Sequence, residues 1–518
     1  MNLDHDTCYR ALASRDARFD GRFFIAVKTT GIYCRPICPA RTPKSANVVF
    51  MPTAAAAQET GFRPCLRCRP EAAPDSGAWR GVSNTGVSHT VTRALALIEA
   101  GELDSADLAG LCAKLGVGER QLRRLFAEHV GAAPNTVAQT RRVLLAKQLL
   151  HETQLPLTEI AFAAGFGSIR RFNEVFQQLF ARPPGALRRS KAADRSAGPQ
   201  GEVSLLLRYR PPYDWPAMLG FLAARAIPGM ETVQGDVYTR SICLDGVQGS
   251  VSVRDEAQSQ ALRVVIRFPK LAALPAIIAR LRRMFDLAAD PAVIQAQLSA
   301  ACPLMAELTQ ARPGLRVPGS WDGFELAMRA VLGQQITVGA AIKLAGKMVA
   351  QYGEPLTDLS AYPPGLSHVF PSPERLAGAE LATLGMPKTR AATLSRMAAA
   401  VLANPQLLSA GASLDEGLEK LLALPGIGDW TAHYIAIRQL REPDAFPAGD
   451  VGLMQALERL TGSRPNAKEL SARAQHWRPW RAYAAQHLWQ SLNEQSSGSE
   501  YGREDVLVEN GKRQIGLA

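Results

Sequence analysis

Between residues 203 and 268 apolar and polar positions alternate in short runs, VSLLLRY, YTRSICL and ALRVVIRF, with the period of two that half-buried strands require. From LPAIIARLRRMFDL onward the period becomes that of amphipathic helices and stays so to about residue 490. A small α+β subdomain packed on a larger all-α body is therefore expected. Upstream, SADLAGLCAKLGVGERQLRRLFAEHVGAAP (105–134) reads as helix, turn at Gly116, helix. LTEIAFAAGFGSIRRFNEVFQQLFARPPGALRR (157–189) repeats the plan, with a turn at Gly165–Gly167. In each, small residues of the first helix face a second helix whose opening turn is polar and basic, as a helix entering a major groove needs. Three stretches lack any apolar period: 70–86, 190–201 and 493–514, rich in Pro, Gly, Ser and polar residues. They separate a Cys-rich segment, a helical segment and a long C-terminal unit, and the last reads as a mobile tail.

At 518 residues the chain exceeds a single hydrophobic core. No run of about 18 apolar residues occurs, and MNLDHDTCYR is not a secretory signal, so a cytoplasmic, DNA-associated protein without a membrane role is expected. The net charge of +12 is uneven: residues 1–200 hold 27 Lys and Arg against 17 Asp and Glu. Such a basic N-terminal part suits a polyanionic partner, although solubility alone would also explain it.

Four of the eight cysteines form two close pairs, Cys34/Cys38 and Cys65/Cys68. Two short-spaced thiolate pairs joined by a loop match a closed zinc tetrahedron, and an inert structural knuckle is the plain reading of the spacing. The flanking residues change that reading. TTGIYCRPICPAR (29–41) with GFRPCLRCRP (61–70) resembles the N-terminal domain of the Ada alkylation-response proteins. The resemblance implies Zn²⁺ held by Cys34, Cys38, Cys65 and Cys68, with Cys34 also accepting a methyl group from a DNA phosphotriester. It also implies DNA contacts at Thr30, Arg41 and Arg63; Pro39 stands where the family commonly has Arg. The two helix-turn-helix copies, with RPPGALRR after the second, resemble the AraC-type activators over 88–190. Recognition helices would then begin near Gly118 and Ser168, facing DNA through Arg120, Gln121, Arg123, Arg124, Arg170, Arg171 and Asn173. RNA polymerase is the further partner that an activator implies.

Leu424-Pro-Gly-Ile-Gly428 makes a tight turn between helices, with Gly426 and Gly428 leaving amides open to a phosphate. Asp450 follows, and as a lone residue reads as a helix cap. Together they resemble the helix-hairpin-helix DNA glycosylases, and 203–490 resembles the AlkA-type 3-methyladenine glycosylases, through RPPYDWPAMLGFLAARAIPGMETV, ARPGLRVPGSWDGFELAMRAVLGQQITV and WRPWRAYAAQHLW. The resemblance makes Asp450 catalytic, since a carboxylate stabilises oxocarbenium charge on the sugar. Trp430, standing where some relatives carry Lys, cannot form a Schiff base, so a monofunctional enzyme is expected. Trp430, Tyr434 and Trp489 are the expected base pocket, and Gln335 stands where an apolar wedge is usual; Trp477 and Trp480 read as core.

The expected fold class is multidomain and mainly α: a zinc-bound α+β domain (1–75), an AraC-type double helix-turn-helix domain (88–190), an AlkA-type α+β subdomain (203–285), an all-α helix-hairpin-helix body (286–492) and a tail (493–518). The expected state is a monomer on double-stranded DNA, at alkylated sites and at a promoter. Two rival readings stand beside it: a transcription regulator with a non-catalytic glycosylase-like grip, and a working glycosylase with a merely structural zinc module.

Overall fold

A computed structural model describes residues 4–74, 89–188, 202–411 and 413–496. Most of the first two interdomain stretches (75–86 and 190–201) and the tail beyond 496 lie outside these. Among the described residues the protein is mainly helical, with three sheets, and no helix is long and apolar enough to cross a membrane. Two compact units form, Met1–Arg210 with Val253–Arg282 and Leu287–Ala289, and Pro211–Ser252 with Arg283–Asp286 and Asp290–Ala518.

The Cys-rich segment folds around β1 (Phe24–Val27), β2 (Ile32–Cys34), β3 (Val48–Met51) and β4 (Arg63–Pro64), in the order β3-β1-β2-β4. β2 and β4 run parallel with Tyr33 opposite Pro64, so each strand delivers a cysteine at its end, Cys34 and Cys65. A fully buried Lys147 on helix Pro134–Glu152 donates to the Cys65 carbonyl at 3.1 Å and pairs with Glu71 at 2.8 Å.

Both helix-turn-helix units form. Asp107 caps helix Leu108–Leu115, Gly116 ends it at φ 71°, and helix Glu119–His129 follows from Gly118. Leu111, Leu122 and Phe126 bury their shared face. In the second unit Ser168 caps helix Ile169–Phe180, and Phe166, Phe172 and Phe176 pack edge to face.

The alternating region gives β5 (Glu202–Arg208), β6 (Glu231–Gln234), β7 (Val237–Leu244), β8 (Val247–Glu256) and β9 (Ala261–Arg267), ordered β5-β9-β8-β7-β6. A helix that the strand pattern does not announce, Trp215–Ala223, is capped by Asp214 and has Pro at its first turn, where a missing N–H costs nothing. The helical body is interrupted by a small hairpin of β10 (Glu354–Pro355) and β11 (His368–Val369). Helix Gly323–Leu332 is fixed to this subdomain by a buried ion cluster. Arg240 donates to Glu325 at 2.6 Å, while Arg329 donates to Glu231 at 2.6 Å and Glu325 at 2.7 Å. Burial works against both the Glu325 charge and the arginines; mutual attraction outweighs it, leaving Glu325 low and Arg240 and Arg329 high.

Removing one member of such a cluster strands the others. Glu325→Leu should cost about 3–5 kcal/mol in denaturant unfolding, whereas breaking exposed pairs such as Arg170–Glu174 should leave the unfolding midpoint nearly unchanged.

Candidate metal centre and base-excision site

The four thiols of Cys34, Cys38, Cys65 and Cys68 converge, with all ligand atoms within 4.8 Å of one another. A zinc tetrahedron with arms of about 2.3 Å has edges of nearly 4 Å, so the donor set and its spacing fit the ion. Backbone N–H groups support the sulfurs: Arg35 N–H donates to Cys68 Sγ at 3.3 Å and Arg67 N–H to Cys65 Sγ at 3.4 Å. Three of the cysteines are buried; Cys34 alone of the four is partly exposed. Arg35, its neighbour, does not face outward. Its side chain is buried against Asp20, with Nε donating at 2.8 Å, and Nη1 donates to the Cys68 carbonyl at 3.1 Å. Thr30, Arg41 and Arg63 are exposed, and so is Pro39.

On the two recognition helices Arg120, Gln121, Arg123, Arg124, Arg170, Arg171 and Asn173 are all exposed. Arg123 pairs with Glu119 at 3.0 Å and Arg170 with Glu174 at 2.8 Å, exposed i,i+4 surface pairs that are individually weak.

In the C-terminal unit helix Leu414–Leu422 leads through the 424–428 turn into helix Asp429–Ile435. Gly426 sits at φ 92°, and a Cβ there would lie 2.2 Å from Thr393 Oγ1, so only glycine fits. Gly428 caps the second helix without a side chain, leaving its amides free for a phosphate. Gln334 braces this hairpin, donating to the Gly426 carbonyl at 3.0 Å and to Thr431 Oγ1 at 3.1 Å. Nothing in the sequence alone singled it out. Gln335, next along, is exposed in a left-handed conformation at φ 57°.

Asp450 caps helix Val451–Thr461 and is buried. Its Oδ1 accepts from Leu453 N–H at 2.8 Å and Trp489 Nε1 at 3.0 Å, and its Oδ2 from Trp430 Nε1 at 2.5 Å. Trp430 and Tyr434, one helical turn apart, stack with centroids 5.1 Å apart and planes within 11°. The three pocket aromatics are thus brought to one carboxylate, two of them by hydrogen bonds. Trp477 and Trp480 are buried away from it in the core.

Family models match this layout in order: the metal-binding domain of Ada over 7–71, a helix-turn-helix domain over 111–190, the AlkA N-terminal domain over 204–322, and the HhH-GPD base excision DNA repair superfamily over 328–482. A Mycobacterium tuberculosis protein described as "Probable bifunctional transcriptional activator/DNA repair enzyme AlkA" is 43% identical over 95% of this chain and 97% of its own. The chain belongs to this family of bifunctional activator and repair proteins. Its C-terminal part is also 36% identical to DNA-3-methyladenine glycosylase 2 of Escherichia coli, over 55% of this chain and 95% of that one. Its N-terminal part is 33% identical to the E. coli bifunctional transcriptional activator/DNA repair enzyme Ada, over 32% of this chain and 43% of that one. As in the family, zinc is the metal of the four-cysteine centre.

The strained turn at Gln335 offers a test. Gln335→Gly relieves the left-handed strain and should raise stability by up to about 1 kcal/mol. If Gln335 fills the gap left by a flipped base, the same variant should excise less from well-paired duplex than from mismatched duplex, relative to wild type. Equal losses on the two duplexes would exclude that role.

Proposed function

We propose that the C-terminal unit is a monofunctional DNA glycosylase excising alkylated purines such as 3-methyladenine, and that the N-terminal part is a methylphosphotriester sensor that activates transcription. The observation that carries the first reading is the Asp450 carboxylate, pinned by two indole N–H groups beside stacked aromatics. In the pocket a flipped base stacks on electron-rich rings. As the glycosidic bond breaks, Asp450 stabilises the positive sugar and orients the attacking water. The base leaves with the bonding electrons, and an abasic site remains. Trp430 has no amine to attack the sugar, so the strand stays uncut.

The second reading is supported by the exposure of Cys34 among three buried partners. Zinc, when bound, keeps the sulfurs as thiolates. The Cys34 thiolate then attacks the methyl carbon of a phosphotriester; the S–CH₃ bond forms, the O–CH₃ bond breaks, and the phosphodiester leaves as an anion. The centre changes from a formal −2 to −1, which lessens its repulsion of DNA and favours promoter binding through the two recognition helices. DNA is the partner of both activities, and RNA polymerase that of the activator.

Asp450→Asn should lower release of 3-methyladenine from duplex at least about 100-fold while abasic-analogue DNA still binds. Near-normal excision by this variant would leave the non-catalytic grip as the better reading. Wild-type protein should give no borohydride-trapped adduct. For the sensor, mass spectrometry of the 29–41 peptide after exposure to methylated DNA should show one added methyl on Cys34, absent in Cys34→Ser. The methylated protein should bind promoter duplex more tightly, with a larger gain at low salt. An unmethylated peptide would make the zinc module purely structural.

A further inference from the structure

Trp430, Tyr434 and Arg438 recur every four residues, through helix Asp429–Ile435 and the wider π turn Ala436–Leu440 that continues it. Arg438 is buried, and its guanidinium carbon lies 5.5 Å from the Tyr434 ring centre, 5.4 Å from that of Trp489 and 4.6 Å from that of Phe221. It donates to neutral acceptors, the Pro318 carbonyl at 3.0 Å and Gln486 Oε1 at 3.0 Å, and interacts with the Tyr434 hydroxyl, while its Nε has no acceptor. Among the described residues no carboxylate pairs with it. Burial pushes its pKa down, to about 10, which still leaves a full cation at neutral pH. Burial alone would raise the pKa of Tyr434; Arg438 and Arg225 outweigh it, and the net shift is downward. An unneutralised positive charge thus lies behind two of the rings that line the pocket.

The bare aromatic rings would favour a cationic base. A guanidinium behind them acts the other way: it draws ring electron density toward itself and repels a positive base directly, while leaving a neutral purine unaffected. We propose that Arg438 is a specificity-determining residue of the base pocket, one that holds back its preference for cationic bases and so admits neutral, deaminated or otherwise uncharged purines as well. This rests on the glycosylase reading above. Asp450, by contrast, acts on the sugar and serves every base alike.

The test compares full-length proteins on two duplexes that differ in one base, 7-methylguanine as the cationic lesion and hypoxanthine as the neutral one. The quantity measured is the ratio of their single-turnover excision rates, which is independent of the fraction of protein that is correctly folded. Arg438→Gln removes the charge. Gln486→Glu leaves the arginine and its hydrogen bond in place and neutralises it with a neighbouring carboxylate. Both should raise the 7-methylguanine to hypoxanthine ratio about tenfold, the size expected for unit charges about 10 Å apart at an effective dielectric near 20. Arg438→Lys, which keeps the charge but not the planar hydrogen bonds, should keep the wild-type ratio. A purely structural role would instead lower both rates together and leave the ratio unchanged in all three variants, which would overturn the proposal. So would a wild-type protein that releases 7-methylguanine but no hypoxanthine. Release of neither base by the wild type would strike the glycosylase reading itself.

Discussion

Asp450 is a carboxylate shut away from water, and a buried carboxylate is tolerable only where donors replace its hydration. Three N–H groups do so here, and each comes from a different part of the chain: the helix it caps, the helix after the hairpin, and the C-terminal helix. The demand fixes more than one residue. Trp430 must stand in the first turn of its helix to reach Oδ2, which places Tyr434 one turn further on, stacked beneath it. Trp489 must approach from the C-terminal helix, which sets that helix against Val451–Thr461. The proposed pocket for the base is therefore formed largely by the groups that make the buried carboxylate tolerable.

A parallel constraint governs the N-terminal centre. Four thiolates held together repel one another, and a divalent cation with backbone N–H donors offsets that repulsion. The parallel pairing of β2 and β4 brings the two cysteine pairs to a single point, and Lys147 ties the Cys65 carbonyl to the long helix of the helix-turn-helix domain. Together with the Arg69–Glu152 ion pair at 3.2 Å, this ties the Cys-rich segment to that helix, a connection that no local pattern in the sequence discloses.

Features that depend on local chemistry were legible in the sequence. Gly118 and Ser168 cap the recognition helices, Asp450 caps its helix, and the cysteine spacing marks the metal centre, because caps, turns and ligand pairs are settled within a few residues. Features that depend on distant partners were not. Arg438 reads as one more basic residue on an amphipathic helix until the π turn and the C-terminal helix bury it. The burial of Arg35 against Asp20 is a contact across 15 residues that no local pattern announces. Helix Trp215–Ala223 lies within an alternating stretch, with only its Asp214 cap and the Pro of its first turn as local signs.

Trp430 shows why such long-range coupling matters for the chemistry. A lysine at this position would bring an amine able to attack the sugar, but it would also remove the indole that donates to Asp450 Oδ2 and the ring that stacks on Tyr434. The donor set of the carboxylate, the face offered to the base and the fate of the abasic sugar all change with this one side chain. In the proposed mechanism, hydrolysis without strand cleavage is accordingly a property of how the carboxylate is held, as much as of the missing amine. An enzyme of the other kind needs a differently supported Asp, because its lysine cannot supply both the nucleophile and the stacking donor.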